Sequence, residues 1–180
     1  VPISADILVM HSGASLEGGD LDLTVTSSAT LSGNAQIVAS EFNLSGGQWA
    51  LQDTASITGN LDANVTSLSL CADCVITASA LGYSATAGPG GAASSGSSRS
   101  GSGAGHGGAG GMGYNSTGGG GSPYGDPLAP DTRGSGGGNG CAGAGPGGTG
   151  GGSIRLQVSG TLSLAGRLLS NGNHGLNCAN

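Results

Sequence analysis

Four aspartates, Asp20, Asp22, Asp62 and Asp73, are the side chains best suited to acid–base work on a sugar polymer. Such chemistry needs two or three carboxylates, or a carboxylate with a basic partner, within reach of one substrate. The four cations are Arg99, Arg133, Arg155 and Arg167, and there is no lysine to serve as a base. Arg155 and Arg167 lie far along the chain from the aspartates, which therefore read as solvated turn carboxylates. His11, His106 and His174 each stand alone in turn-like contexts, so no metal site is expected; His106, between Gly105 and Gly107, is expected to hydrogen-bond or stack within its own loop. The serines fall in repeats without an accompanying acid and histidine in a recognisable order. Gly-Gly-Asp20-Leu-Asp22 and Gly125-Asp126 lack the fixed nonapeptide spacing of calcium-binding rolls. An ice-binding ladder would need Thr-x-Thr on successive coils, and only Thr24-Val-Thr26 qualifies. The expectation is that the chain is not an enzyme and carries no cofactor.

Cysteine and asparagine chemistry points elsewhere. Cys71, Cys74, Cys141 and Cys178 form an even set, which fits an oxidising compartment and two bridges with three possible connectivities. Cys71-Ala-Asp-Cys74 has zinc-knuckle spacing, but Cys141 and Cys178 do not, which favours disulfides. Asn43-Leu-Ser, Asn64-Val-Thr and Asn115-Ser-Thr are acceptors for N-linked glycans. Asn64 has strand-like neighbours that threaten to turn it inward. Together these features predict a secreted, extracellular or cell-surface glycoprotein, and Val1-Pro2-Ile3 reads as the start of a processed or truncated chain.

Composition narrows the partners. Glycine supplies 41 of 180 residues and charged residues only 8%, with a net charge of −6. Nucleic-acid or anionic-membrane binding needs clustered cations to release counterions, and four scattered arginines do not supply them. No apolar run approaches the ~20 residues that cross a bilayer.

The elements that would carry these residues divide by composition into 1–81, 82–152 and 153–180. The first and last are β-rich, with apolar residues alternating in short runs such as Leu21, Leu23 and Val25 or Trp49 and Leu51, the period of a strand. A short phrase recurs as Ala14-Ser-Leu-Glu-Gly18, Ala29-Thr-Leu-Ser-Gly33 and Ala55-Ser-Ile-Thr-Gly59, with a variant at Gly160-Thr-Leu-Ser-Leu. Its aliphatic residue is expected to point inward and its glycine to turn a corner at positive φ. A unit this small cannot bury an apolar row alone and must stack on neighbours. The predicted fold is all-β, a right-handed parallel β-helix, a short solenoid with a long ordered Gly-rich insertion. A sandwich of hairpins is disfavoured, because Gly33-Asn34 and Gly59-Asn60 lie in the repeated phrase and not between paired runs.

The middle stretch holds 30 of the 41 glycines. It lacks the strict Gly-X-Y period of collagen. Two ordered arrangements suit it: extended left-handed strands that pack closely for want of side chains, or a long loop on the solenoid or on neighbouring subunits, anchored by Met112, Tyr114, Tyr124 and Leu128. The expectation is the loop.

The ordered series Val75-Ile-Thr-Ala-Ser-Ala-Leu-Gly-Tyr83, Gly88-Pro-Gly-Gly91, Gly105-His-Gly-Gly108, Ser122-Pro-Tyr-Gly-Asp126, Gly134-Ser-Gly-Gly-Gly138, Gly151-Gly-Ser-Ile-Arg-Leu156 and Ser170-Asn-Gly172 covers about half the chain. It resembles the Gly-rich β-helix repeat of very large surface and matrix proteins of protists, algae and oomycetes, with relatives in bacterial adhesins. The resemblance implies structural or adhesive material, with flagellar hairs (mastigonemes) as one setting. The chain departs from that pattern at Ser79-Ala80-Leu81, where an acidic residue often precedes glycine. Leu168-Leu-Ser-Asn-Gly172 echoes the opening of the excursion near Val75, as if a further module began there. The expected role is a structural protomer of an extracellular filament, flagellar hair or matrix, with itself, other extracellular structural proteins and covalent glycans as partners. An adhesin or carbohydrate-binding module is the alternative, and a polysaccharide-processing enzyme the third reading.

Overall fold

A computed structural model describes residues 2–94, 100–114, 119–126, 128, 131–141 and 144–176. The chain forms two compact units. One runs from the first strand to Ala78 and takes in Ile154–Leu169; the other takes in Ser79–Ser153 and resumes at Ser170.

The first unit is a β-solenoid of about four turns. Its strands are β1 (Pro2–Met10), β2 (Ser15–Leu31), β3 (Gln36–Ser45), β4 (Gln48–Leu51), β5 (Ser56–Val65), β6 (Ser67–Leu70), β7 (Val75–Thr77), β8 (Ile154–Val158), β9 (Leu162–Leu164) and β10 (Arg167–Leu169). Every strand pairing is parallel. The expected parallel β-helix is therefore present, and the rival hairpin sandwich is not.

Register sorts the strands into three columns. Leu16, Ile37, Ile57, Ile76 and Leu168 succeed one another in the first. Ile3, Leu23, Leu44, Ala63 and Leu156 do so in the second, and Met10, Leu31, Leu51, Leu70 and Leu164 in the third. Alternate residues point inward, so each coil of about 20 residues lays its aliphatic row on the row below, one strand spacing of ~4.8 Å away. The interior rows are almost wholly buried: Leu31, Ile37 and Ile57 have no accessible surface, and Trp49 and Phe42 are the largest side chains fully buried.

The corners explain both the repeat and its misreading. Between the third and first columns the same turn recurs, with the amides of Ala14, Ala35, Ala55 and Cys74 donating to the carbonyls of His11, Ser32, Gln52 and Cys71. The true repeat starts at this small residue: Ala14-Ser-Leu-Glu-Gly18, Ala35-Gln-Ile-Val-Ala39, Ala55-Ser-Ile-Thr-Gly59 and Cys74-Val-Ile-Thr-Ala78. Ala29-Thr-Leu-Ser-Gly33 only imitates it, for Ala29 stacks between Leu8 and Trp49 in a different column. Gly33 turns its corner at positive φ as expected, at 62°, but Gly18 and Gly59 do not. They are small because the corner is crowded: a methyl on Gly59 would stand 2.7 Å from the Ala39 carbonyl oxygen. Positive φ is also needed at Gly13 in the first corner, at 80°, and at Gly46 and Gly47, between β3 and β4, where φ is 74° and 53°.

Side chains tie successive corners together. Asn34 Oδ1 accepts from the Gly13 amide at 2.6 Å, and one coil on Asp53 Oδ2 accepts from the Gly33 amide at 2.8 Å. Asp53 itself sits at φ 59°, a conformation that aspartate and asparagine tolerate better than other side-chain-bearing residues. Asp53→Ala is expected to cost about 1–2 kcal/mol, from a lost hydrogen bond and left-handed strain together. Asp53→Asn should keep most of that stability, and urea unfolding of the two variants measures the difference.

In the second unit glycine takes the place of a side-chain core. Extended segments bond sideways to one another through their backbones. Gly103 donates to Gly111, Gly110 to Gly121 and Gly121 back to Gly103, closing a ring of three segments. Along 134–138 the amides of Gly134 and Gly137 both go to one neighbour, at Gly151 and Gly148, while those of Gly136 and Gly138 go to two others, at Ala87 and Ser102. A three-residue recurrence of this kind belongs to polyproline-II-type chains, which have no internal hydrogen bonds and offer their amides outward in three directions. The closely packed strand arrangement thus prevails within this unit over the loop held by side-chain anchors. Met112, Tyr114 and Leu128 are strongly exposed and anchor nothing. Tyr124 is the exception: its hydroxyl donates to the Arg133 carbonyl, and its ring meets His106 edge-on with centroids 4.7 Å apart. His106 has the stacking role expected of it. Residues 170–176 join this unit, with Ala80 donating to Asn171 and Asn173 to Thr149.

Candidate functional site

Stacking brings together side chains that are distant in sequence. Asp22, Asn43, Asp62 and Arg155 occupy one outward column on successive coils of the solenoid. Asn43 Nδ2 donates to Asp22 Oδ1 at 2.6 Å, and Arg155 Nη1 lies 3.3 Å from Asp62 Oδ2. Arg155 is therefore a neighbour of an acid that the sequence places 93 residues away. Both partners are about half exposed, so the pair contributes no more than about 1 kcal/mol. Asp22 and Asp62 stand two coils apart, separated by Asn43. Asp20 lies beside Glu41 on the next coil, and Asp73 lies in the fourth corner, away from both. The four aspartates thus do not converge on one point. Among the described residues no three His, Cys, Asp or Glu side chains are grouped to hold a metal ion.

The acceptor asparagines divide. Asn43 in β3 and Asn64 in β5 are both exposed and outward-facing, so the strand around Asn64 does not turn it inward. Asn115 lies outside the described residues, as do Arg99 and Cys178. Of the cysteines, Cys71 and Cys74 are bonded to each other with Cα atoms 5.1 Å apart, and Cys141 is also in a disulfide.

The Cys71–Cys74 bridge clasps the fourth corner. Cys74 is fully buried in the position that Ala14, Ala35 and Ala55 hold on the coils below, so a small side chain suffices there. Closing a loop of four residues restricts the unfolded chain little, by about 2 kcal/mol in the entropic account. Replacing the pair by Cys71→Ser with Cys74→Ala is expected to lose about that amount and leave the coil intact. Thermal unfolding followed by circular dichroism tests both parts.

Concavities accompany these ladders. On the outer face of the third column a groove of about 320 Å³ is lined by Ser28, Thr30, Gln48, Ser67, Ser69 and Ser163 together with Ala29, Trp49, Ala50 and Leu68, so that apolar surface predominates among the hydroxyls. Sequence reading missed it, because only the coil period shows that its polar residues form two outward rows. The Thr24 row, by contrast, continues as Ser4, Ser45, Asn64 and Gln157 and is not a threonine ladder. In the glycine unit a cavity of about 550 Å³ is walled mainly by glycine backbone, with Ser100, Ser102, Ser135 and Thr149. Its described lining holds no acid, histidine or cysteine, so it offers hydrogen bonds but no titrating group. No family model, curated protein or solved structure matches the chain.

Proposed function

We propose that the chain is a structural glycoprotein, a protomer of an extracellular filament or cell-surface matrix, whose work is mechanical. The observation that carries this reading is the way both units are built. In each, extended segments are tied laterally by backbone hydrogen bonds, in parallel register over about four turns in one and between glycine-rich segments in the other. A ladder of that kind resists extension across its strands through many bonds at once and does not depend on any one side chain. The outward placement of Asn43 and Asn64 suits glycans that face water, and the disulfides suit an oxidising compartment.

Glycopeptide mass spectrometry of native material is expected to find sugar on Asn43 and Asn64. Immunogold electron microscopy should place the chain on extracellular fibres or matrix. Labelling confined to the cytosol, with both asparagines bare, would remove the proposal.

The groove over the third column, which sets hydroxyls and an amide beside apolar surface, favours a second reading, a carbohydrate-binding surface module. Saturable binding of the purified chain on a glycan array, lost on Gln48→Ala with Ser67→Ala, would support it.

A further inference from the structure

The turn between the third and first columns recurs on four coils, and only the fourth carries a bridge. Ala14, Ala35 and Ala55 close it without sulfur, through the same amide bond that Cys74 makes to the Cys71 carbonyl. The shape of the corner therefore does not call for the Cys71–Cys74 disulfide. Nor does the bridge add much stability, because the loop it closes is so short. That relation is reciprocal: a fold that gains little from a bridge does little to hold it shut against other thiols.

The two sulfurs meet unequal surroundings. Cys71 follows Leu70 at the outward place that His11, Ser32 and Gln52 take on the other coils. It is partly exposed, and Ala72 and Asp73 beside it are fully so. Cys74 has no accessible surface. The coil above leaves the outer side of this corner open. Leu31 to Ile37, Leu51 to Ile57 and Leu70 to Ile76 each take six residues to pass from the third column to the first, whereas Leu164 to Leu168 takes four. That shorter corner runs inside its predecessor, with Gly166 against the carbonyls of Cys71 and Cys74. Cys71 thus faces sideways from the solenoid and not along its axis.

We propose that the Cys71–Cys74 bridge is a thiol-exchange site, at which Cys71 becomes joined by a mixed disulfide to a partner carrying an accessible thiol. The partner's thiolate attacks Cys71 Sγ, the sulfur on the open side. The bond to Cys74 Sγ breaks, and its electron pair leaves on Cys74, which takes a proton from water. One disulfide replaces another, so no oxidant is consumed. The Asp53 carbonyl oxygen, 3.9 Å from Cys74 Sγ, is placed to accept from the thiol so formed. Apolar burial disfavours the thiolate that would reverse the step, which suits a lasting attachment better than turnover. The site does not depend on the filament reading.

Two single variants test the asymmetry, and each copies a corner the solenoid already has. Cys74→Ala matches Ala35 and Ala55, and Cys71→Ser matches Ser32. In the folded full chain, iodoacetamide is expected to alkylate Cys71 of the first at least about tenfold faster than Cys74 of the second. Circular dichroism shows that both are folded. The unaltered chain, incubated with glutathione, quenched in acid and mapped by mass spectrometry, is expected to carry glutathione on Cys71 and a free thiol at Cys74. A parallel arm uses a folded protein with one exposed cysteine: adducts with both probes admit a protein partner, and an adduct with glutathione alone assigns the site to small thiols. Equal alkylation of the two sulfurs would overturn the proposal. So would glutathione found as often on Cys74 as on Cys71, or reaching Cys71 only in denaturant.

Discussion

Gly136→Ala is expected to unfold the glycine-rich unit, at a cost of about 3 kcal/mol or more. A methyl at Gly136 would overlap the Ser84 carbonyl oxygen, at Gly120 that of Gly110, and at Gly148 that of Asn173. These obstacles are backbone atoms of neighbouring segments, which cannot step aside without disturbing the lateral hydrogen bonds that Tyr83, Gly110 and Asn173 donate beside them. The control lies in the same stretch. Gly107, Gly108, Gly111 and Gly119 have nothing within 4 Å of an added methyl and no positive φ. Alanine at those four should be neutral or stabilise by up to about 1 kcal/mol, through a less free unfolded chain. Amide hydrogen exchange read over residues 79–153 distinguishes the two sets. Similar losses at Gly111 and Gly136 would mean that the segments are not packed as described.

The second large effect belongs to the solenoid. Trp49 is the sole tryptophan and is almost fully buried. Trp49→Ala should cost about 3–5 kcal/mol, because the coils above and below are fixed by their ladders and cannot collapse into the void. Trp49→Phe should cost much less than its lost volume suggests. The indole Nε1–H is buried without a hydrogen-bond partner among the described residues, and removing it relieves a desolvation penalty of about 1–3 kcal/mol. Urea denaturation of both variants measures the contrast. Equal losses would show that the indole N–H finds a partner in solution.

Strand periodicity made the fold class legible, since Leu21, Leu23 and Val25 alternate as a half-buried strand must. Alternation says which way a residue faces, however, and not which coil it belongs to. The register was hidden by Ala39 and Ala78, which stand where Gly18 and Gly59 do, and by Ala29-Thr-Leu-Ser-Gly33, which copies the repeated phrase at a different place on the coil. With register hidden, Arg155 reads as remote from Asp62, although the long excursion only interrupts one coil between β7 and β8, and both of those strands lie directly on β5. The hydroxyl groove was invisible for the same reason. In the glycine tract, Met112, Tyr114 and Leu128 drew attention as large residues among small ones, but the packing there excludes side chains, and they stand in solvent.

The central claim is that this chain is a structural protomer outside the cell, and cryo-electron microscopy of untreated native material tests it most directly. The expected result is a linear or helical repeat in which each subunit contributes a parallel solenoid and a glycine-packed unit, with sugar density on Asn43 and Asn64. Dispersed single copies with bare asparagines would contradict it.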